Sequence, residues 1–162
     1  MEGITFGSIF SNGSVWAIIG AVCAVLFAGM GSAKGIQLVG KAGSGILSEA
    51  PENFGRVLIL QALPGTQGIY GLLVAFLILF SNSEIFTFSL SLNQGFAYFL
   101  AALPTAVVGY FSAIHQGTVA ASAMGIVAKR PEESMKGVIS AGLVETYAVL
   151  ALLISVLAIF NI

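Results

Sequence analysis

The chain has 162 residues, 57% of them hydrophobic and only 8% charged, with a formal net charge of −1 and a mean hydropathy of +1.00. Soluble domains average about 25% charged residues, so this composition excludes an ordinary cytosolic enzyme and a disordered chain, and the lack of any basic run excludes nucleic-acid binding. One cysteine (Cys23), one histidine (His115) and no aspartate exclude an intrachain disulfide framework, a cysteine zinc site and any histidine cluster.

The N-terminal segment carries Glu2 as its only charge. It has no Lys or Arg ahead of the first apolar run, so it lacks the pattern of a cleavable signal, and the first helix is expected to be retained. A membrane helix needs ~20 mostly apolar residues. The uncharged stretch Val15–Ala33 predicts a first helix over about 14–44, and Val57–Ser83 a second over about 54–80. A loop over 81–93 carries Glu84 alone. The uncharged stretch Ile85–Ile114 predicts a third helix over about 94–128, and the apolar run after Lys136 a fourth over about 135–160. The first and third are longer than a bilayer requires and are expected to extend into water at one end.

Lys41 and Arg56 flank the first connection, and Lys129, Arg130 and Lys136 flank the third. The positive-inside rule therefore puts connections 45–53 and 129–134 in the cytoplasm. Both termini and loop 81–93 then lie outside. The expected fold is an all-α membrane protein: a first helical hairpin over 1–80, an extracytoplasmic loop and a second hairpin over 94–162.

The hairpins read as copies. Each cytoplasmic connection holds Pro then Glu, at Pro51-Glu52 and Pro131-Glu132. Gly20, Ala24, Ala28 and Ser32 recur every four residues in the first helix; Ala113, Gly117, Ala121 and Gly125 do so in the third. Small residues on one face let membrane helices approach closely. The second and fourth helices are bulkier. A small-residue inner wall and a bulky outer wall suit a homo-oligomeric ring. Lining up the halves sets Gln67 opposite Glu145.

Glu145 is the one acidic residue inside a predicted span. A charge in such a place costs at least ~2.5–3.5 kcal/mol, which marks it as functional; the bland alternative is a protonated acid bonding helices together. Gln61, Thr66, Gln67 and Tyr70 on the second helix, and Gln116 on the third, are the polar groups at similar depth. Thr66 and Tyr70 are four apart and share a face. Each needs a polar partner in hydrocarbon, and Glu145 is the natural one where helices meet. A proton carrier needs only the carboxyl group. Spare neutral oxygens favour a hard cation, and Na⁺ is the abundant monovalent one. Pro64 lacks an N–H, so the Leu60 carbonyl loses its helical partner. Lys34 reads as a snorkelling or lumen-facing lysine, and His115 as a satisfied contact between helices.

These stretches resemble a known family. Leu63-Pro64-Gly65-Thr66-Gln67-Gly68-Ile69-Tyr70-Gly71 closely resembles the second helix of the proteolipid (subunit K, c-type rotor subunit) of bacterial V-type Na⁺-ATPases. Val144-Glu145-Thr146-Tyr147-Ala148 resembles its essential-carboxylate motif. Gly31-Ser32-Ala33-Lys34-Gly35 and Ser112-Ala113-Ile114-His115-Gln116-Gly117 are similar to its first- and third-helix signatures. The resemblance covers nearly the whole chain. It implies a rotor ring in a bacterial plasma membrane that carries Na⁺. The implied ligands are the Glu145 carboxylate, the Thr66 hydroxyl, the Gln67 and Gln116 side-chain oxygens and the Leu63 carbonyl, with Tyr70 hydrogen-bonding Glu145. The Leu63 ligand is implied by the resemblance alone. His115 departs from the small residue expected there.

The resemblance also implies partners: further copies in the ring, a stator membrane protein supplying an arginine, a protein of the central stalk and surrounding lipid. ATP hydrolysis would occur elsewhere in the complex, since no G-x-x-x-x-G-K-[ST] occurs here. One carboxylate per four helices favours pumping over synthesis. A proton-carrying ring, a small four-helix channel or carrier, and a purely structural proteolipid stay open at this point.

Overall fold

The computed structural model describes residue 7 and residues 10–162. The reading of the segment around Glu2 lies outside them. Four helices among the described residues are long and apolar enough to cross a membrane: α1 Gly13–Glu49, α2 Pro51–Ser81, α3 Leu92–Lys129 and α4 Pro131–Ile159. The 37 residues of α1 and 38 of α3 span about 55 Å at ~1.5 Å per residue, well beyond a hydrocarbon core of ~30 Å. The first helix runs five residues past its expected end near 44, so most of the expected connection 45–53 is helical.

Local chemistry sets the ends. The Asn12 side chain caps α1 by accepting from the Ser14 N–H at 2.8 Å, and the Ser91 hydroxyl accepts from the Gln94 N–H at the start of α3. Such caps satisfy donors that have no intrahelical partner. At both expected cytoplasmic turns the chain leaves one helix through a non-helical residue, Ala50 or Arg130. It re-enters through a 3₁₀ turn led by proline, Pro51–Asn53 or Pro131–Glu133, where the missing N–H costs nothing. Loop 81–93 is more ordered than a plain loop. It holds a helical turn, Glu84–Thr87, closed by Phe88 at φ 56°. The Asn12 amide and the Ser14 hydroxyl donate to the Phe88 and Glu84 carbonyls, fastening this loop to the start of α1.

α1 and α3 pack along their lengths, with α2 laid on α1 and α4 on α3. Glycine makes the α1–α3 approach possible. A Cβ added at Gly31 would stand 2.6 Å from the Tyr110 Cα, and one at Gly117 2.5 Å from the Gly35 Cα. The small-residue stripe of α1 is buried throughout. That of α3 is buried at Ala113 and Gly117, half-buried at Ala121, and exposed at Gly125. A spacing of four turns about 40° further per step on a helix of 3.6 residues per turn. The α3 stripe therefore leaves the contact, whereas α1 keeps a wide buried arc because α2 and α3 both cover it.

The apolar core is in two parts. One gathers Ala17, Val74, Ala102 and Ile159; the other gathers Val39, Leu60, Ala123 and Ala141. Between them, at mid-height, lies a layer of polar side chains.

Candidate ion site in the bundle

Glu145 lies eleven residues from Ser134 and fourteen from Ile159, the ends of the α-helical part of α4, roughly 16 and 21 Å from them at ~1.5 Å per residue. Each carboxylate oxygen has its own donor. The Tyr70 hydroxyl donates to Oε1 at 2.5 Å, and the Gln116 amide donates to Oε2 at 3.1 Å. Gln67 Nε2 donates to Gln116 Oε1 at 2.7 Å, and both glutamines are fully buried. A carboxylate, two amides and a phenol thus form one connected chain across α2, α3 and α4. No buried side-chain nitrogen or oxygen among the described residues lacks a partner.

The α2 side of the site comes from a break in the helix. Leu63–Gly65 is a 3₁₀ turn around buried Pro64, between α-helical stretches Phe54–Ala62 and Thr66–Ser81. Pro104 in α3 causes no such break. Proline chemistry pointed to the Leu60 carbonyl; the carbonyl gathered with the site side chains is that of Leu63. It accepts from the Thr66 N–H and, at 3.0 Å, from the Thr66 hydroxyl. The same hydroxyl lies 3.4 Å from Gln67 Oε1. Ser32 anchors the segment by accepting from the Gly68 N–H at 2.8 Å.

Leu63, Thr66, Gln67, Tyr70, Gln116 and Glu145 are therefore neighbours. Gln61 is not among them. It lies against α1, where a Cβ on Gly40 would meet its Nε2 at 2.7 Å. Six residues before Gln67 is about 240° round a helix, which turns it to another face. Sequence reasoning missed Ser112. Its hydroxyl accepts from Gln67 Nε2 at 3.4 Å and donates to the Val144 carbonyl at 3.2 Å. Its place four residues before Gln116 was the available signal. His115 is exposed in a groove of about 270 Å³ beside Val144 and Tyr147, and is not the satisfied contact between helices of one chain that the sequence suggested. Lys34 is exposed and donates to Gln37 Oε1 at 3.1 Å.

The oxygens suit a hard cation. Ionised carboxylate oxygens have about four acceptor sites between them, and an amide carbonyl has two. Glu145 keeps acceptor capacity after its two hydrogen bonds, and Gln116 Oε1 keeps one lone pair beside Gln67.

Comparison with known proteins agrees with this geometry. A family model described as the ATP synthase C subunit matches twice, at residues 19–78 and 99–158. The chain is 45% identical over 151 residues to the V-type sodium ATPase subunit K of Enterococcus hirae, covering 93% of this chain and 94% of that one. It is 38% identical over 144 residues to the A-type ATP synthase subunit K of Methanocaldococcus jannaschii, covering 89% of this chain and 61% of that one. The two family matches begin and end 80 residues apart, the spacing of Pro51 from Pro131. At that spacing Gly65, not Gln67, is the counterpart of Glu145, and Ile36 is the counterpart of Gln116. A Cβ on Gly65 would lie 3.4 Å from Ile36 Cδ1, so the counterparts are neighbours as well. The chain belongs to the ATP synthase C-subunit family, as a duplicated two-hairpin rotor-ring proteolipid of a V-type ATPase that is not a catalyst by itself.

Proposed function

We propose that this rotor proteolipid carries Na⁺ across the membrane at Glu145. The Leu63 carbonyl, Thr66 Oγ1, Gln67 Oε1 and Gln116 Oε1 supply further ligands, and Tyr70 holds the carboxylate. The observation that carries this reading is the number of neutral oxygens beside one carboxylate, more than proton carriage needs. The relative from a sodium ATPase supports the same ion.

A bare carboxylate facing lipid is costly. With Na⁺ bound, the site is close to neutral, so a loaded copy can turn through the bilayer. Where the ring meets the stator, an arginine there pairs with the emptied carboxylate and lets the ion leave. Each charge moved against 100 mV requires ~2.3 kcal/mol, supplied by ATP hydrolysis in the partner sector through the central stalk. The ring lies in the bacterial plasma membrane. The turns at 51–53 and 131–133 face the cytoplasm, beside Arg56, Lys129, Arg130 and Lys136, and both termini face outward.

Carbodiimide labelling of membranes at fixed pH, with and without NaCl, tests this. The reagent needs a protonated carboxyl in an apolar setting. Label on Glu145 alone, prevented by NaCl and abolished in Glu145→Gln, is expected. Label indifferent to NaCl would mean a proton ring. No label on Glu145 at any pH would remove the exchangeable site.

A further inference from the structure

The repeat fixes more than the site. Ser32 and Ser112 are 80 residues apart, and each hydrogen-bonds the backbone of the second helix of its own hairpin, at Gly68 and Val144. The bonds differ in direction, Ser32 accepting and Ser112 donating, but each ties the first helix of its hairpin to the second. Within one chain the two hairpins meet through an edge of α1, where Gly20, Gly31 and Gly35 lie on the backbone of Phe99, Tyr110 and Ala113.

Moved by 80 residues, the same edge of α3 presents Leu100, Phe111 and His115. Leu100 and Phe111 are 49% and 55% exposed, and His115 is exposed beside them. Moved the other way, the receiving edge becomes the free face of α1, with exposed Met30, Ala33 and Gln37. Among the described residues, both edges are left exposed. A Cβ on Gly29, on that face of α1, would touch nothing within 4 Å, whereas one on its counterpart Gly109 would meet Ala28 at 3.1 Å.

We infer that these two edges are the joint between successive copies, with His115 of one copy seated against Ala33 and Gln37 of the next. The inference rests on the ring reading and adds its register. Inside one chain, the Cβ of Gly117 would fall 2.5 Å from the Gly35 Cα; Gln37 and His115 are the counterparts of that pair. The polar partner is also suitable. The Gln37 carbonyl already accepts from Lys34, which leaves its NH₂ to donate to an imidazole nitrogen. Glycines form the joint inside a chain, whereas Leu100, Phe111 and His115 form the joint between chains. Adjacent copies therefore stand further apart than the two hairpins of one copy.

Cysteine pairs test the register, in a chain with Cys23→Ala. A disulfide requires Cα atoms about 4.4–6.8 Å apart. His115→Cys with Gln37→Cys, and Leu100→Cys with Ile19→Cys in a separate layer, are oxidised in membranes and run with and without reductant. Both pairs are expected to give a ladder of dimers, trimers and larger species, lost on reduction. The single variants, and Gln37→Cys paired with outward-facing Leu143→Cys, stay at chain mass. Native mass of the same membranes separates the register from the ring itself. An intact ring with no ladder from either pair overturns the register alone. An unmodified chain that runs as a monomer overturns the ring reading and the joint with it.

Discussion

Tyr70 and Gln116 hold different oxygens of Glu145, and Thr66 hydrogen-bonds to Leu63 and Gln67 instead, so substitutions at these positions separate proton chemistry from ion chemistry. Hydrogen bonds to a charged group contribute about 1.5–3 kcal/mol, and 1.4 kcal/mol is about tenfold in an equilibrium constant. Tyr70→Phe removes a donor that favours the ionised carboxylate. Sodium-free carbodiimide labelling at neutral pH should rise, and the NaCl needed for half-protection should rise about tenfold. Thr66→Val removes a proposed cation ligand but no hydrogen bond to Glu145. It should raise the NaCl requirement and leave the sodium-free labelling rate unchanged; a change in that rate would show that Thr66 acts on the carboxylate instead. Glu145, Thr66 and Tyr70 were legible in the sequence because an acid is costly in a span and a spacing of four shares a face. The direction of the Gln116 amide was not legible. It depends on Gln67 arriving from another helix, and no one-dimensional pattern carries that contact.

Two helices owe their shape to single residues. Pro64 converts one turn of α2 to 3₁₀ geometry and gathers the Leu63 carbonyl with Thr66. Counting from the missing proline N–H could not find this, because it assumes that α geometry persists around the break. The α1–α3 contact was readable as a small-residue stripe, but only the fold shows where the stripe leaves the contact. That gives an internal control. Gly117→Leu forces a side chain into the Gly35 backbone; overpacking costs about 1–3 kcal/mol, occasionally more, and no side chain here can give way. Gly125→Leu enters open space within the chain. The yield of ring-sized material on a native gel should fall several-fold for Gly117→Leu. Gly125→Leu should assemble as the unmodified chain does. Equal yields would mean that backbone approach at Gly35 does not limit assembly.

At the scale of the whole chain, duplication has left one carboxylate inside a membrane-length helix for two hairpins. The proposed site lies at the joint inside the chain, where α2 faces α3 and α4. At the joint between copies the repeat spacing offers Gly65 for Glu145, Ile36 for Gln116 and Leu150 for Tyr70. Those three replacements remove the charge and both of its donors, so no second ion is expected there. Gly65→Glu restores the charge alone. The Cβ it adds has room, 3.4 Å from Ile36 Cδ1, but Ile36 and Leu150 stand where Gln116 and Tyr70 hold Glu145, so neither of that carboxylate's two donors is restored. An unpaired acid in hydrocarbon stays protonated, and a protonated acid is what a carbodiimide attacks. The variant should therefore take two labels per chain, with NaCl protecting Glu145 and leaving the introduced carboxyl fully reactive in mass-mapped peptides. If NaCl protects both equally, the ligands around Glu145 are not what select the ion, and one carboxylate in either joint is enough.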